Sequence, residues 1–105
     1  MNVGRALVID DDGEMRHLIE TLLGSGGIEC HLEASGEDAV PRLYEEVYDL
    51  IIVDVMMNGM NGIEFIAQVK KSPKNRRSTI IVVSGVVEDH ALNRALNLGE
   101  KIFSI

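Results

Sequence analysis

Four short apolar runs constrain this chain more than any other feature: Ala6-Leu7-Val8-Ile9, Leu50-Ile51-Ile52-Val53, Ile80-Ile81-Val82-Val83 and Ile102-Phe103-Ser104-Ile105. The middle two contain only leucine and β-branched residues, as strands buried on both faces of a parallel sheet do. A weaker run, Glu29 to Ala34, alternates and carries charge, which predicts an edge strand. Between the runs the period turns helical. Met15, Leu18, Ile19, Leu22 and Leu23 form one stripe, with Gly24 as its stop signal. Val40, Leu43 and Val47 form a second behind the candidate cap Ser35, where Pro41 predicts a late start or a kink. Ile63, Ile66 and Ala67 mark a third, and Ala91, Leu92, Ala95 and Leu96 a fourth, closed by Gly99.

The order βαβαβαβαβ calls for right-handed crossovers and a doubly wound five-stranded parallel sheet with helices on both faces. At 105 residues the chain is expected to be one domain, 1–105, burying about two-thirds of its unfolded surface. The final strand is followed by no closing helix. Lys70 to Arg77, with Ser72-Pro73, reads as a solvated connection.

Ten basic against 17 acidic residues leave a formal charge of −7, which disfavours direct nucleic-acid binding and suits divalent cations or a basic partner. The single cysteine, Cys30, excludes an internal disulfide and a Cys-rich zinc site. No apolar run approaches a bilayer span and no signal peptide is evident, so the expected compartment is the cytoplasm, with no membrane partner.

Ligands of open α/β sheets bind beyond the carboxyl ends of the strands. This sequence places Asp10-Asp11-Asp12 after the first strand, Asp54 at the end of the third and Ser84-Gly85 after the fourth. Like charges about 4 Å apart repel by roughly 4 kcal/mol at an effective dielectric near 20. Such a cluster must hold a proton, spread, or bind a cation. Oxygen donors without histidine or thiolate favour Mg²⁺ or Mn²⁺, with waters left for a phosphate oxygen. Taken singly, Asp12 reads as a helix cap and Ser84 says little. Their meeting at one rim is what points to phosphoryl chemistry.

In these motifs the chain resembles a response-regulator receiver domain of two-component signalling. The resemblance rests on Leu7-Val8-Ile9-Asp10-Asp11-Asp12 with Met15-Arg16, on Ser35-Gly36-Glu37-Asp38-Ala39, on Tyr48 through Met57 with Met60-Asn61-Gly62, and on Ile80 through Gly85. It implies a flavodoxin-like strand order, 2-1-3-4-5. It also implies that Asp54 is the nucleophile accepting a phosphoryl group from a histidine kinase or histidine phosphotransfer protein. Asp11, Asp54 and the Met56 carbonyl would ligate Mg²⁺, with Asp10 acting through a coordinated water. Ser84 would hydrogen-bond the phosphoryl group, and Phe103 would be the aromatic that rotates with it. The domain would catalyse only its own phosphorylation and hydrolysis, and is otherwise no enzyme.

Two departures stand out. Asn58 replaces the family's usual proline, which predicts a looser loop. The family's lysine, three positions past the switch aromatic, would follow Ile105, where the sequence ends. Lys101 would lie about 16 Å away along the strand and on the other face. A truncated C-terminus, also lacking the last helix, is the expected explanation. With natural loss instead, a homodimer through the fourth helix and fifth strand would cover the bare surface. Met56 and Val86 are both apolar and predict slow self-dephosphorylation. The alternative function is a pseudo-receiver acting as a phosphorylation-independent interaction module. A phosphatase would want an aspartate at position 56, and a flavin domain a hydroxyl-rich first loop; neither fits.

Overall fold

The run Leu50 to Val53 becomes the centre of a five-stranded sheet because it can be covered on both sides. The computed structural model describes residues 4–57 and 59–83, with the backbone of 102–104. The elements are β1 (Gly4–Ile9), α1 (Gly13–Ser25), β2 (Ile28–Glu33), α2 (Gly36–Glu45), β3 (Leu50–Asp54), α3 (Gly62–Lys71), β4 (Thr79–Val83) and β5 (Ile102–Ser104). All pairings are parallel, in the order β2-β1-β3-β4-β5. This is the expected doubly wound sheet, and the charged run does form an edge strand. The fourth helix predicted around Ala91 to Leu96 lies outside the described residues, as do Asn58, Ser84, Val86 and the side chain of Phe103.

Strand alternation divides the two faces. Leu7, Ile9, Ile51, Val53, Ile80 and Val82 point to the side where α2 contributes Ala39 and Leu43, and α3 contributes Phe65, Ile66 and Val69. This side is the dry core. On the other face Ile52, Ile81 and Val83 meet Leu18, Ile19 and Leu22 of α1 around a groove of about 460 Å³. No residue of α1 is fully buried, and Leu22 is 63% exposed. The predicted stripe is thus helical and faces the sheet, although much of its apolar surface meets solvent.

Two local expectations change. α1 runs through Gly24 and ends at Ser25, because the turn into β2 is made by Gly27 with φ of 83°. α2 does not start late: Ser35 Oγ accepts the Asp38 N–H at 3.1 Å, and the helix continues through Pro41 to Glu45. Pro41 is exposed, so its missing N–H faces solvent rather than core. Asp12 caps α1 as expected, accepting the Glu14 N–H at 3.0 Å.

The segment read as a solvated connection is exposed along most of its length, but it is anchored by buried polar residues. Ser72 and Asn75 are fully buried and Ser78 is 7% exposed. Ser72 Oγ donates to Leu43 O at 2.6 Å, and Ser78 Oγ to Tyr48 O at 2.7 Å. These short polar side chains tie the loop to the end of α2 and the start of β3. Between them Pro73, Lys74, Arg76 and Arg77 face water.

Candidate functional site

Ile9 of β1 pairs with Val53 of β3, so the residues that follow them leave the sheet side by side. From this point the chain winds toward β2 in one direction and toward β4 in the other. A crevice therefore opens above the β1–β3 boundary, where such sheets bind ligands. Asp10, Asp11 and Asp54 meet there, each offering a carboxylate oxygen within 4.8 Å of the others. Asp10 is 4% exposed, Asp54 half-buried and Asp11 exposed.

Backbone donors fix two of these carboxylates. The Asp12 N–H donates to Asp10 Oδ1 at 2.9 Å, and the Met56 N–H to Asp54 Oδ1 at 3.0 Å. Arg16 Nη1 donates to the Asp10 carbonyl at 2.6 Å, drawing the first turn of α1 onto the loop. On the opposite wall the Gly62 N–H donates to Val55 O at 3.2 Å. A Cβ at Gly62 would lie 2.5 Å from Asp54 O and 2.8 Å from Val55 Cα. Only glycine lets α3 begin this close to the end of β3. Glu37 Oε1 accepts the Met60 N–H at 3.1 Å, which links the start of α2 to the same loop.

Burial raises the Asp54 carboxyl above the ordinary carboxylate range. The Met56 N–H opposes this, while the charges of Asp10 and Asp11 add to it. Asp10 is raised for the same first reason, and Arg16 only partly offsets its acidic neighbours. Because the folded carboxyls hold protons more tightly than the unfolded ones, their contribution to stability is lost as pH rises through their folded pKa. The ionised cluster therefore costs stability at neutral pH. Asp54→Asn is expected to stabilise the chelator-treated protein at pH 7, and the gain should vanish as pH falls below the carboxylate range. Urea denaturation across that pH range measures it; an equal or lower stability of the variant at pH 7 would contradict the electrostatic reading.

Of the residues expected at the site, the structure brings Asp10, Asp11 and Asp54 together. Met56 follows in the adjoining loop with its side chain 67% exposed. Ser84 succeeds the last residue of β4, outside the described residues, and the Phe103 backbone pairs with Ile81 in β5. Arg16 and Gly62 appeared in the sequence only as parts of motifs. The signals for them were a cation one turn into α1 and a glycine directly after the Asn61 cap, and neither reveals a close approach without the fold. Three hard oxygen donors, partly buried and mutually repelling, fit a small divalent cation. Among the described residues no helix is long and apolar enough to cross a membrane.

The family model for the response regulator receiver domain matches residues 6–103. The chain is 31% identical over 102 residues to the chemotaxis protein CheY of Thermotoga maritima, covering 96% of this chain and 83% of that protein. It is 33% identical to the response regulator protein VraR of Staphylococcus saprophyticus, covering 90% of this chain but only 46% of that protein. The chain thus spans less than half of some relatives it matches. Among solved structures, the receiver domain of the sensor histidine kinase PA1611 from Pseudomonas aeruginosa superposes with a TM-score of 0.83 at 23% identity. That match covers 95% of this chain and 82% of the other, and the fold is what the two share. The Pseudomonas domain holds a magnesium ion coordinated in its active-site cleft.

Proposed function

The chain belongs to the response regulator receiver domain family of two-component systems, and on that premise we propose that Asp54 accepts a phosphoryl group in a Mg²⁺-dependent reaction. The observation that carries this reading is the convergence of the Asp10, Asp11 and Asp54 carboxylates within 4.8 Å at the β1–β3 crevice. Asp11, Asp54 and the Met56 carbonyl would hold the cation, with Asp10 acting through water. Mn²⁺ satisfies the same oxygen donors. When bound, the cation neutralises charge on the phosphoryl oxygens.

The rest falls to the chain. The Met56 N–H and the rigid end of β3 hold the Asp54 carboxylate in place, leaving its second oxygen to attack phosphorus in line. The donor is a phosphohistidine on a histidine kinase or a phosphotransfer protein. An Asp54 O–P bond forms, the histidine N–P bond breaks, and the imidazole takes up a proton. Ser84 would then bond the phosphoryl group and Phe103 follow it, favouring one of two loop arrangements and altering a protein-binding surface. The domain turns over no separate substrate. This chemistry suits the cytoplasm.

Incubating the protein with acetyl phosphate and Mg²⁺ is expected to add one phosphate-sized mass, absent in Asp54→Ala and absent with chelator. Labelling of the alanine variant to the same extent would refute the assignment.

A further inference from the structure

Half of the ten Lys and Arg of this acidic chain stand between positions 70 and 77: Lys70, Lys71, Lys74, Arg76 and Arg77. Their backbone is fixed from beneath. Asn75 Nδ2 donates to the carbonyls of Leu43 and Glu46 at 2.8 and 2.7 Å, and the Arg76 N–H closes on Ser72 O at 2.9 Å. Lys71, Lys74, Arg76 and Arg77 are exposed. None of the five forms an ion pair among the described residues. The Lys70 and Lys74 ammonium groups reach only the carbonyls of Arg76 and Glu45, at 3.1 and 3.3 Å.

Beside Lys74 and Arg77 lies a groove of about 230 Å³ that also takes in Val47 and Asp49. Val47 is 58% exposed, and Asp49 Oδ2 accepts the Arg5 N–H at 2.8 Å. The groove sits at the amino ends of β3 and β4, the edge of the sheet opposite the aspartates.

We propose that this basic loop and its groove are a docking surface for an acidic polypeptide segment that carries an apolar residue. The other half of the chain's cations is scattered among its 17 acids, so a long polyanion such as nucleic acid would be repelled as soon as it extended past the loop. A short acidic segment would not. The exposed Val47, lining the same groove as Lys74 and Arg77, also offers a contact that a phosphodiester backbone cannot use and a peptide side chain can. The fixed backbone limits the ordering cost of binding.

The test is fluorescence anisotropy with a short dye-labelled peptide of aspartate and glutamate around one leucine, titrated with the full chain. Saturable binding that weakens with salt is expected. The double variant Lys74→Glu with Arg77→Glu should bind roughly tenfold more weakly or worse, and Val47→Ser several-fold more weakly. Labelling of the double variant by acetyl phosphate should be unchanged, which separates this surface from the aspartate site. If charge reversal unfolds the protein, Lys74→Gln with Arg77→Gln serves instead. Failure to saturate, equal affinity of the variants, or tighter binding of a single-stranded oligonucleotide would each overturn the proposal.

Discussion

Gly62→Ala is expected to lower the melting temperature by roughly 10–20 °C, a loss of about 3 kcal/mol. The added methyl would meet Asp54 O at 2.5 Å and Val55 Cα at 2.8 Å. Both are backbone atoms, so no side chain can rotate away to admit it. Relief requires α3 to withdraw from β3, breaking the Gly62 N–H bond to Val55 O and shifting the residue that carries the proposed acceptor. Acetyl phosphate labelling should therefore slow together with the loss of stability. Gly24→Ala provides the contrast. It lies inside α1 with nothing within 4 Å of the added methyl, and alanine there should be neutral or stabilise by up to about 1 kcal/mol. Thermal denaturation of the two variants measures both. Similar melting temperatures would mean that α3 does not approach β3 as described.

Asn75→Ala should cost about 3 kcal/mol by a different route. Its amide makes three full hydrogen bonds. Nδ2 donates to the carbonyls of Leu43 and Glu46, and Oδ1 accepts the Tyr48 N–H at 2.7 Å, with the Ser78 hydroxyl, whose one proton also serves Tyr48 O, 3.1 Å away. Truncation strands backbone groups in a site that excludes water, and an unpaired buried group costs about 1–3 kcal/mol. Asn75→Asp keeps the acceptor but turns a carboxylate toward two carbonyls. Its folded pKa should rise, so this variant recovers stability as pH falls, whereas the alanine variant does not. Urea denaturation at neutral and acidic pH distinguishes them. A loss under about 0.5 kcal/mol for alanine would show that the loop is not anchored through this residue.

The contrast between these positions shows what the sequence could convey. β3 and β4 are legible because burial on both faces demands uninterrupted apolar runs, and charge on Glu29 and Glu33 marks β2 as an edge. The meeting of Asp10, Asp11 and Asp54 was legible because residues at the ends of adjacent parallel strands must share a rim. Segment 70–77 is the exposed connection its five cations suggest, but those cations hide the buried anchors in and beside it. The buried Ser72, Asn75 and Ser78 are small polar residues whose type is the same in solvent as in a satisfied interior. Gly24 reads as the stop signal, yet α1 runs through it, and the turn is made instead at Gly27, whose positive φ no local pattern announces. The clearance at Gly62 depends on where β3 ends in space, which no local pattern encodes.

Asp10, Asp11 and the proposed acceptor Asp54 are expected to form one cation site. Calorimetric titration with Mg²⁺ tests it most directly, on the full chain and on Asp11→Asn. One ion per chain should be taken up, with affinity reduced roughly tenfold or more in the variant, which keeps its shape but loses a charge. No uptake by the folded protein, or equal uptake by the two, would contradict it.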